Sequence, residues 1–170
     1  MKSEQDHPAS LCDETLLEQC QLRRERRSGP GGQRRNKVET AVVLIHESSG
    51  LRAEASERRS AEDNRRVALF RLRLELARKI RVAYTDREPS DLWQSRCRGG
   101  RISVSSTHTD FPAILAEALD AVANAQFELA SAAAQLGCTT SQLRKLIQQD
   151  PMAWSHVQEQ RVAAGLPRLK

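Results

Sequence analysis

The sequence predicts an α+β protein in which a small mixed or antiparallel sheet is packed by one long helix and followed by a small all-helical C-terminal domain. Three observations lead to this prediction. A short, β-branched apolar run at residues 42–46 indicates a strand. Apolar residues recur at helical spacing from residue 61 to residue 83. From residue 109 onward the chain is rich in Ala and Leu, in segments bounded by Pro and Gly.

The elements before the long helix follow from local patterns. Residues 13–18 predict a short helix, because their acidic first turn suits the helix dipole. Residues 20–27 alternate between polar and apolar positions, if arginine stems count as packing surface, and predict a short strand. The Ser-Ser-Gly turn at residues 48–50 leads into another alternating stretch at 51–55, which predicts a hairpin with the 42–46 strand.

The long helix is predicted to span residues 61–83 and to lie across the sheet. Ser60 or Ser56 is expected to cap it, since Asp63 follows Ser60 at the spacing of a capping box. Residues 84–100 contain one Pro and two Gly and predict a linker, which Trp93 attaches to a surface. Residues 101–105 alternate and predict one more strand.

Four helices are predicted after residue 109. Asp110 and Pro112 are typical of a helix start. Gly137 ends an alanine-rich helix, and Thr140 is expected to cap the next, so residues 132–143 have the pattern of a helix-turn-helix. The pattern is common among helical pairs and does not by itself indicate DNA binding.

The predicted domains differ in charge. Residues 1–9 are expected to be disordered, 10–108 to form the first domain and 109–170 the second. Residues 111–170 hold five basic and five acidic residues, so the whole excess of +5 lies in residues 1–110. The basic part is therefore expected to contact nucleic acid, and the neutral part has no such requirement.

The excess charge surrounds a glycine-rich loop, Ser28-Gly29-Pro30-Gly31-Gly32-Gln33. From residue 21 to residue 40 there are seven Lys or Arg and two Glu, a net charge of +5. Glycine lets another molecule approach the backbone closely, and proline fixes its own φ. The loop is therefore expected to present the uncharged amide of Gln33, and positively charged residues flank it on both sides. This arrangement is typical of a reactive loop that binds a polyanion.

Residues 28–40, which continue as Asn36-Lys37-Val38-Glu39-Thr40, resemble the GGQ loop of class I peptide-chain release factors. The resemblance covers roughly residues 10–85. It is closest to the small release-factor-like proteins of the ribosome-rescue type, which have no codon-recognition domain. Beyond the loop it extends through Ala41-Val42, His46, Gly50, Glu57, Arg59-Ser60 and Asn64-Arg65.

The resemblance implies hydrolysis of the peptidyl-tRNA ester on the ribosome, with Gly31, Gly32 and Gln33 as the catalytic residues. The backbone N–H of Gln33 is implicated at the ester and leaving group, and its neutral side chain cannot act as an acid or base. Positioning and fixed hydrogen-bond donors would then supply the catalysis. Loop support is expected from Ser28, Gly29, Pro30, Asn36, Lys37, Glu39 and Thr40, and RNA binding from Arg26, Arg27, Arg34, Arg35, Lys37, Arg59 and Arg65.

The chain departs from the family pattern in two places. Arg34 and Arg35 add charge where many members have a smaller or less charged residue, commonly His. The C-terminus lacks the basic tail with which small rescue hydrolases occupy the mRNA channel, so residues 111–165 would have to provide a different attachment. The helix arginines have two interpretations, a solvated face or RNA contacts, and His46 is expected to be a packed histidine.

Two functions from different classes stay open. The first is codon-independent hydrolysis of peptidyl-tRNA on stalled ribosomes. The second is a non-catalytic ribosome- or RNA-binding protein that retains the loop for docking, or a factor whose release activity needs a codon-reading partner. A DNA-binding regulator is less favoured because the predicted helix-turn-helix is neutral. A P-loop enzyme is disfavoured because Lys-Ser/Thr does not follow the glycines at the required spacing.

The remaining expectations concern partners and compartment. The four cysteines are scattered without zinc-ligand spacing, so we expect reduced thiols, no metal and no cofactor. No apolar run has transmembrane length, and the N-terminus resembles neither a signal nor a transit peptide. These features predict a cytoplasmic monomer whose partners are the large-subunit rRNA of the ribosome and peptidyl-tRNA, and which binds no membrane.

Overall fold

The computed structural model describes residues 6–25, 40–85 and 87–169. The chain forms two compact units. The first comprises Leu11–Leu76 and is called the sheet unit. The second comprises the described residues of Met1–Ser10 and Ala77–Lys170 and is called the helical unit.

The sheet unit contains a three-stranded antiparallel sheet in the order β1-β2-β3. Its elements are α1 (Asp13–Glu18), β1 (Cys20–Glu25), β2 (Ala41–His46), β3 (Arg52–Ala55) and most of α2 (Ala61–Lys79). The predicted hairpin is confirmed: β2 and β3 are joined by a tight turn in which Gly50 has a φ of 69°, a conformation that favours glycine. The N–H groups of Glu62 and Asp63 donate to the Ser60 hydroxyl, which caps α2 as predicted.

The core of the sheet unit is built from small and medium aliphatic side chains. Val42, Leu44 and Ala55 of the sheet are buried. On α2, Ala68, Leu72 and Leu76 recur at helical spacing and are fully buried. The edge strand β1 is exposed over most of its length, so β2 is the strand around which this core forms.

The helical unit is organised around α4 (Phe111–Asn124), which is buried on nearly all sides. Against it pack α3 (Asp91–Arg96), α5 (Leu129–Gln135), α6 (Thr140–Gln148) and a 3-10 turn at Pro8–Ser10. The unit also contains α7 (Pro151–Ala163), which packs on α6, and a short hairpin of β4 (Cys97–Arg98) and β5 (Arg101–Ile102). The predicted α+β class, with a small sheet and a helical C-terminal part, is confirmed.

The long helix ends at Lys79 and not at residue 83 as predicted. The next residues use their backbone groups in contacts with distant parts of the chain. The His7 ring bonds the carbonyl oxygen of Ile80 at 3.2 Å, and the N–H of Val82 donates to the Asp120 carboxylate at 3.1 Å. These groups are therefore not available for a further helical turn, and local periodicity alone could not reveal that.

The predicted linker at residues 84–100 is wrong. The segment contains α3 and β4, and Tyr84 and Trp93 are both 1% exposed. The Trp93 indole N–H donates to the carbonyl oxygen of Leu136 at 2.8 Å, and Glu117 accepts hydrogen bonds from the Tyr84 hydroxyl and from Ser90. The segment belongs to the core of the helical unit, and the boundary between the units falls at Leu76, not near residue 108.

Three smaller predictions are also corrected. Of the N-terminal residues predicted to be disordered, Met1–Gln5 lie outside the described residues, but His7 and Ala9 are buried. The cap of α6 is Thr139 and not Thr140, because the Thr139 hydroxyl accepts from the N–H of Gln142. The predicted strand at 101–105 is only two residues long.

Candidate functional site

The glycine-rich loop lies within residues 26–39, which are outside the described part of the chain. Its surroundings are described, and they define how the loop is attached. The predicted catalytic residues Gly31, Gly32 and Gln33 lie in this segment. So do Arg26, Arg27, Ser28, Gly29, Pro30, Arg34, Arg35, Asn36, Lys37 and Glu39, and only Thr40, Arg59 and Arg65 of the predicted site residues are described.

The residues on the two sides of this segment lie opposite each other in the sheet. Glu25, the last residue of β1, pairs with Ala41, the first residue of β2. Arg24 and Val42 form the next pair of the same antiparallel ladder. The segment therefore leaves and re-enters the sheet at one end, and the ladder sets the distance between its two attachment points.

Asn64 fastens the residue at which the segment ends. This side chain is fully buried in the first turns of α2. Its amide nitrogen donates to the carbonyl oxygens of Thr40 at 2.7 Å and Arg58 at 3.0 Å. Its amide oxygen accepts from the N–H of Arg58 at 2.9 Å. Asn64 thus joins the start of β2 to the turn before α2 and satisfies three backbone groups in an interior position.

Asn64 belongs to the residues that carry the family resemblance, but it is not among the predicted site residues. A signal was available in the sequence. Asparagine is a poor helix-interior residue because its short amide competes for backbone hydrogen bonds. At Asn64 this tendency has a structural role, since the side-chain amide serves as the hydrogen-bond partner of backbone groups of Thr40 and Arg58.

A second contact holds the turn between β3 and α2. The Arg71 guanidinium donates to the carbonyl oxygen of Glu54 at 2.7 Å and to the Glu57 carboxylate at 2.6 Å. The pKa of Glu57 is lowered, first by the N–H of Ser56 and then by smaller contributions that include Arg71. Both side chains are about half exposed. The pair therefore orients the turn without creating a buried charge.

The predicted RNA-binding residues Arg59 and Arg65 differ in their surroundings. Arg59 is exposed, and among the described residues it has no ion pair. Arg65 pairs with Glu62 at 3.0 Å, and Arg66 lies 3.6 Å from the same carboxylate. Arg73 pairs with Asp13 at 2.8 Å. Most arginines of this helix thus have local acidic partners, and Arg59 is the more accessible cation for an incoming phosphate.

His46 has the packed role expected for it. It is 2% exposed, and its ring nitrogens contact Ser49 Oγ at 2.8 Å and Gln19 Oε1 at 3.3 Å. Burial lowers its pKa. His46 lies at the opposite end of β2 from Ala41, roughly 17 Å away along the strand. Its contacts close the β2–β3 turn, so its position is structural and remote from the attachment of the loop.

The described residues offer neither a metal site nor a membrane span. No group of three or more His, Cys, Asp or Glu side chains within residues 6–25, 40–85 and 87–169 is arranged to hold a metal ion. Within the same ranges, every helix is too short or too polar to cross a bilayer.

The part of the chain that contains the glycine-rich loop is similar to known proteins. The RF-1 domain family model matches residues 17–108. A mitochondrial peptide chain release factor-like protein of Saccharomyces cerevisiae, itself uncharacterized, is 47% identical over 62 residues, which are 36% of this chain and 37% of that protein. Peptide chain release factor 1 of Chloroherpeton thalassium is 38% identical over 99 residues, which are 58% of this chain and 27% of that protein.

A third relative is the human protein named mitochondrial translation release factor in rescue. It is 38% identical over 85 residues, which are 49% of this chain and 47% of that protein. In each of these three comparisons the chain covers less than half of the relative's length. No solved structure matches the chain at a significant level.

Proposed function

Because the chain belongs to the RF-1 domain family, we propose that it hydrolyses the ester of peptidyl-tRNA on the ribosome, without reading a codon. The observation that carries the proposal is the intact Gly31-Gly32-Gln33 sequence within the matched region. The attachment of its segment to paired strand ends and to Asn64 supports the same conclusion. A catalytic loop needs firmly held attachment points, because a misplacement of the reacting groups by about 1 Å can lower the rate about a hundredfold.

In the proposed reaction, water attacks the carbonyl carbon of the ester, and the ribose hydroxyl of the tRNA leaves. The developing oxyanion and the leaving oxygen need hydrogen-bond donors in fixed positions. Gly31 and Gly32 allow the backbone to approach the ester, and the N–H of Gln33 acts as a donor. The neutral Gln33 side chain limits and orients the access of water. The ribosome supplies much of the remaining site.

The basic residues around the loop are proposed to contact RNA. Arg26, Arg27, Arg34, Arg35 and Lys37 adjoin the tip in sequence, and Arg59 follows the turn that Asn64 holds. Arg59 is exposed and has no ion pair among the residues that the structure describes. Contacts of this kind give affinity through phosphates and carry no sequence information.

The compartment in which the chain works is a separate proposal. The cysteines in the described ranges are free thiols, which suits a reducing compartment. We propose the cytoplasm. Two of the relatives are mitochondrial proteins by name, so the mitochondrion is the alternative. Fluorescence imaging of the tagged chain in its own cell distinguishes the two.

Peptide release in a purified translation system tests the proposed function. Ribosomes are stalled on an mRNA truncated in the P site, on a longer mRNA, and with a stop codon in the A site. Release on the truncated mRNA is expected. Gly32→Ala should reduce it by about a hundredfold or more, because the added methyl group obstructs the approach of the loop backbone and displaces the N–H donor. Gln33→Ala keeps that N–H and should reduce release through the lost orientation of water. Arg52→Gln, a change on β3 away from the loop attachment, is the control.

The arms separate the alternatives. Release only with the stop codon would contradict codon-independent action. Ribosome binding without release in any arm would leave a docking protein. If release appeared only after a codon-reading protein was added, the chain would be the hydrolytic part of a two-component factor.

A further inference from the structure

The helical unit has an exposed basic surface, although residues 111–170 of this unit are neutral in total. Arg98 and Arg101 of the β4–β5 hairpin are both exposed and are directly paired across the two strands. Gly99 and Gly100 form the turn between them with φ values of 56° and 74°. Positive values at both central residues are what a type I′ two-residue hairpin turn requires. Two like charges are therefore held side by side at the tip of a tight ribbon.

This hairpin is fixed against the start of α6. The N–H of Thr139 donates to the carbonyl oxygen of Gly100 at 3.2 Å, and the N–H of Ile102 donates to the Gln142 side chain at 3.2 Å. Thr140, Ser141 and Lys145 are exposed on α6. We call Arg98, Arg101, Thr140, Ser141 and Lys145 together the hairpin–α6 surface.

The hairpin–α6 surface lies in two stretches that contain no acidic residue. The sequence has no Asp or Glu from residue 92 to residue 109 or from residue 129 to residue 149. In the described part of the chain, Arg98, Arg101 and Lys145 form no ion pair. Like charges directly opposite each other in a sheet are destabilising. A pair of arginines in this position is thus better explained by an external anion than by folding.

Three of the five acidic residues that make residues 111–170 neutral are engaged elsewhere in the unit. Asp120 accepts from Arg81 at 3.0 Å, and Asp150 accepts from Arg78 at 2.5 Å. Glu117 accepts from Tyr84 and Ser90. The neutrality of residues 111–170 is therefore a poor guide to this surface, because three of their five acids are engaged by other residues of the unit and the arginines of the surface come from residues before 111. The other two acids, Glu128 and Glu159, are exposed and lie outside the two acid-free stretches.

We propose that the hairpin–α6 surface binds the phosphate backbone of a structured RNA, and this inference rests on the proposed function at the ribosome. Guanidinium groups bind phosphate oxygens in bidentate fashion, and hydroxyl groups such as those of Thr140 and Ser141 also bind phosphates. The glycine turn lets the backbone approach the RNA closely. The surface has no aromatic side chain on which a base could stack, so contacts to phosphates are expected, and not readout of base sequence.

Binding of a short fluorescein-labelled RNA duplex by the full chain tests this inference, because the duplex carries no peptidyl ester and reports binding alone. All variants are made in a Gln33→Ala background, which lowers hydrolysis when ribosomes are the probe. The double variant Arg98→Gln/Arg101→Gln is compared with Arg52→Gln/Arg168→Gln, which removes the same charge from two exposed positions elsewhere. Purified ribosomes are the second probe, and polyglutamate is the third.

The arginine pair is expected to account for about two phosphate contacts. The first double variant should weaken RNA binding about tenfold at moderate salt, and the dependence of log K on log salt should become shallower by roughly 1.4–1.8. The control should bind like the parent. Arg98→Lys/Arg101→Lys should recover most of the affinity, because charge is retained.

Unchanged affinity and salt dependence in the first double variant would overturn the inference, as would an equal loss in the control. Binding of polyglutamate as tight as that of RNA would show a general polyanion surface and would also overturn it. Peptide release is measured separately with Gln33 intact. Loss of release with normal RNA binding refutes only the proposed function, and normal release without arginine-dependent binding refutes only this inference.

Discussion

The two units of the chain use charge in opposite ways. In the sheet unit, ion pairs such as Arg71–Glu57 and Arg65–Glu62 are at the surface, with both partners more than 40% exposed. In the helical unit, the carboxylates of Asp120 and Asp150 are almost completely buried and hold Arg81 and Arg78. This difference decides which arginine side chains of each unit can leave their carboxylate partner and bind a phosphate of another molecule.

Exposed pairs exchange their partners easily because water and salt screen them. Buried pairs do not, since separating them leaves an uncompensated charge in the interior. The arginines on the surface of the sheet unit can therefore move from a carboxylate to a phosphate with little loss of stability. In the helical unit only surface cations such as Arg98 and Arg101 have that freedom.

The sharpest test of this comparison removes one carboxylate from each unit. Asp150→Asn should lower the free energy of unfolding by about 3 kcal/mol, because it removes the buried carboxylate charge that faces the Arg78 guanidinium. Asparagine can still accept the N–H of Ala153 at the start of α7, so the change isolates the ion pair. Glu57→Gln should cost less than about 1 kcal/mol. Urea unfolding of both variants gives the two values, and equal losses would break the comparison.

Substitution of Asn64 tests whether a buried neutral side chain stabilises the sheet unit, as buried ion pairs stabilise the helical unit. Asn64→Ala leaves the carbonyl oxygen of Thr40 and the N–H of Arg58 without this partner, and a loss of about 2–3 kcal/mol is expected. Asn124→Ala, on α4, is the control: this side chain is exposed and accepts a solvent-accessible hydrogen bond from the Thr85 hydroxyl, so the change should cost less than about 1 kcal/mol. Similar losses in a thermal melt would show that the Asn64 contacts contribute little.

A pH titration of stability addresses a buried neutral histidine in the helical unit. His7 donates from Nε2 to the carbonyl oxygen of Ile80, and Nδ1 accepts from the N–H of Ala9, so both ring nitrogens are used in the neutral form. Burial lowers the pKa of His7 to about 4. Its contribution to stability is complete above pH 6.5 and is lost as the pH falls towards 4. At pH 5 the loss is about 2 kcal/mol.

Asp120 acts in the opposite sense over part of this window. Burial raises its pKa to about 6, against the effects of Val82 and Arg81, so its contribution is largest at low pH and is lost as the pH rises from 4 to 6. The His7 effect is therefore read from the difference between the parent and His7→Gln. His156→Gln, at an exposed position, controls for the loss of an imidazole. Parallel pH curves for the parent and His7→Gln would contradict the buried neutral state.

The sheet unit could be predicted from sequence more completely than the helical unit, for a physical reason. The 42–46 strand, the Gly50 turn and the Ser60 cap are each specified by a few adjacent residues. In contrast, Trp93 is placed by the carbonyl oxygen of Leu136, and His7 by that of Ile80. Such contacts join residues far apart in the chain, and local sequence patterns do not predict them.

The candidate site also has parts that local sequence predicts and parts that depend on long-range contacts. The glycine loop and its basic flanks are visible in sequence because their residue types are unusual at that density. The role of Asn64 and the proposed hairpin–α6 surface could not be predicted from the sequence, since each depends on which distant backbone or helix lies beside it. The catalytic roles of Gly31, Gly32 and Gln33 stay predictions.

The most direct test of the central claim measures peptide release against the concentration of the chain, on ribosomes with truncated mRNA. Gly32→Ala should lower the rate at saturation and leave the half-saturating concentration unchanged, because the loop acts on the reacting ester. Arg98→Gln/Arg101→Gln should raise the half-saturating concentration about tenfold at an unchanged maximal rate, because the hairpin–α6 surface acts in binding. The reverse pattern, or a Gly32→Ala variant that releases peptide at the parent's rate, would contradict the proposed roles.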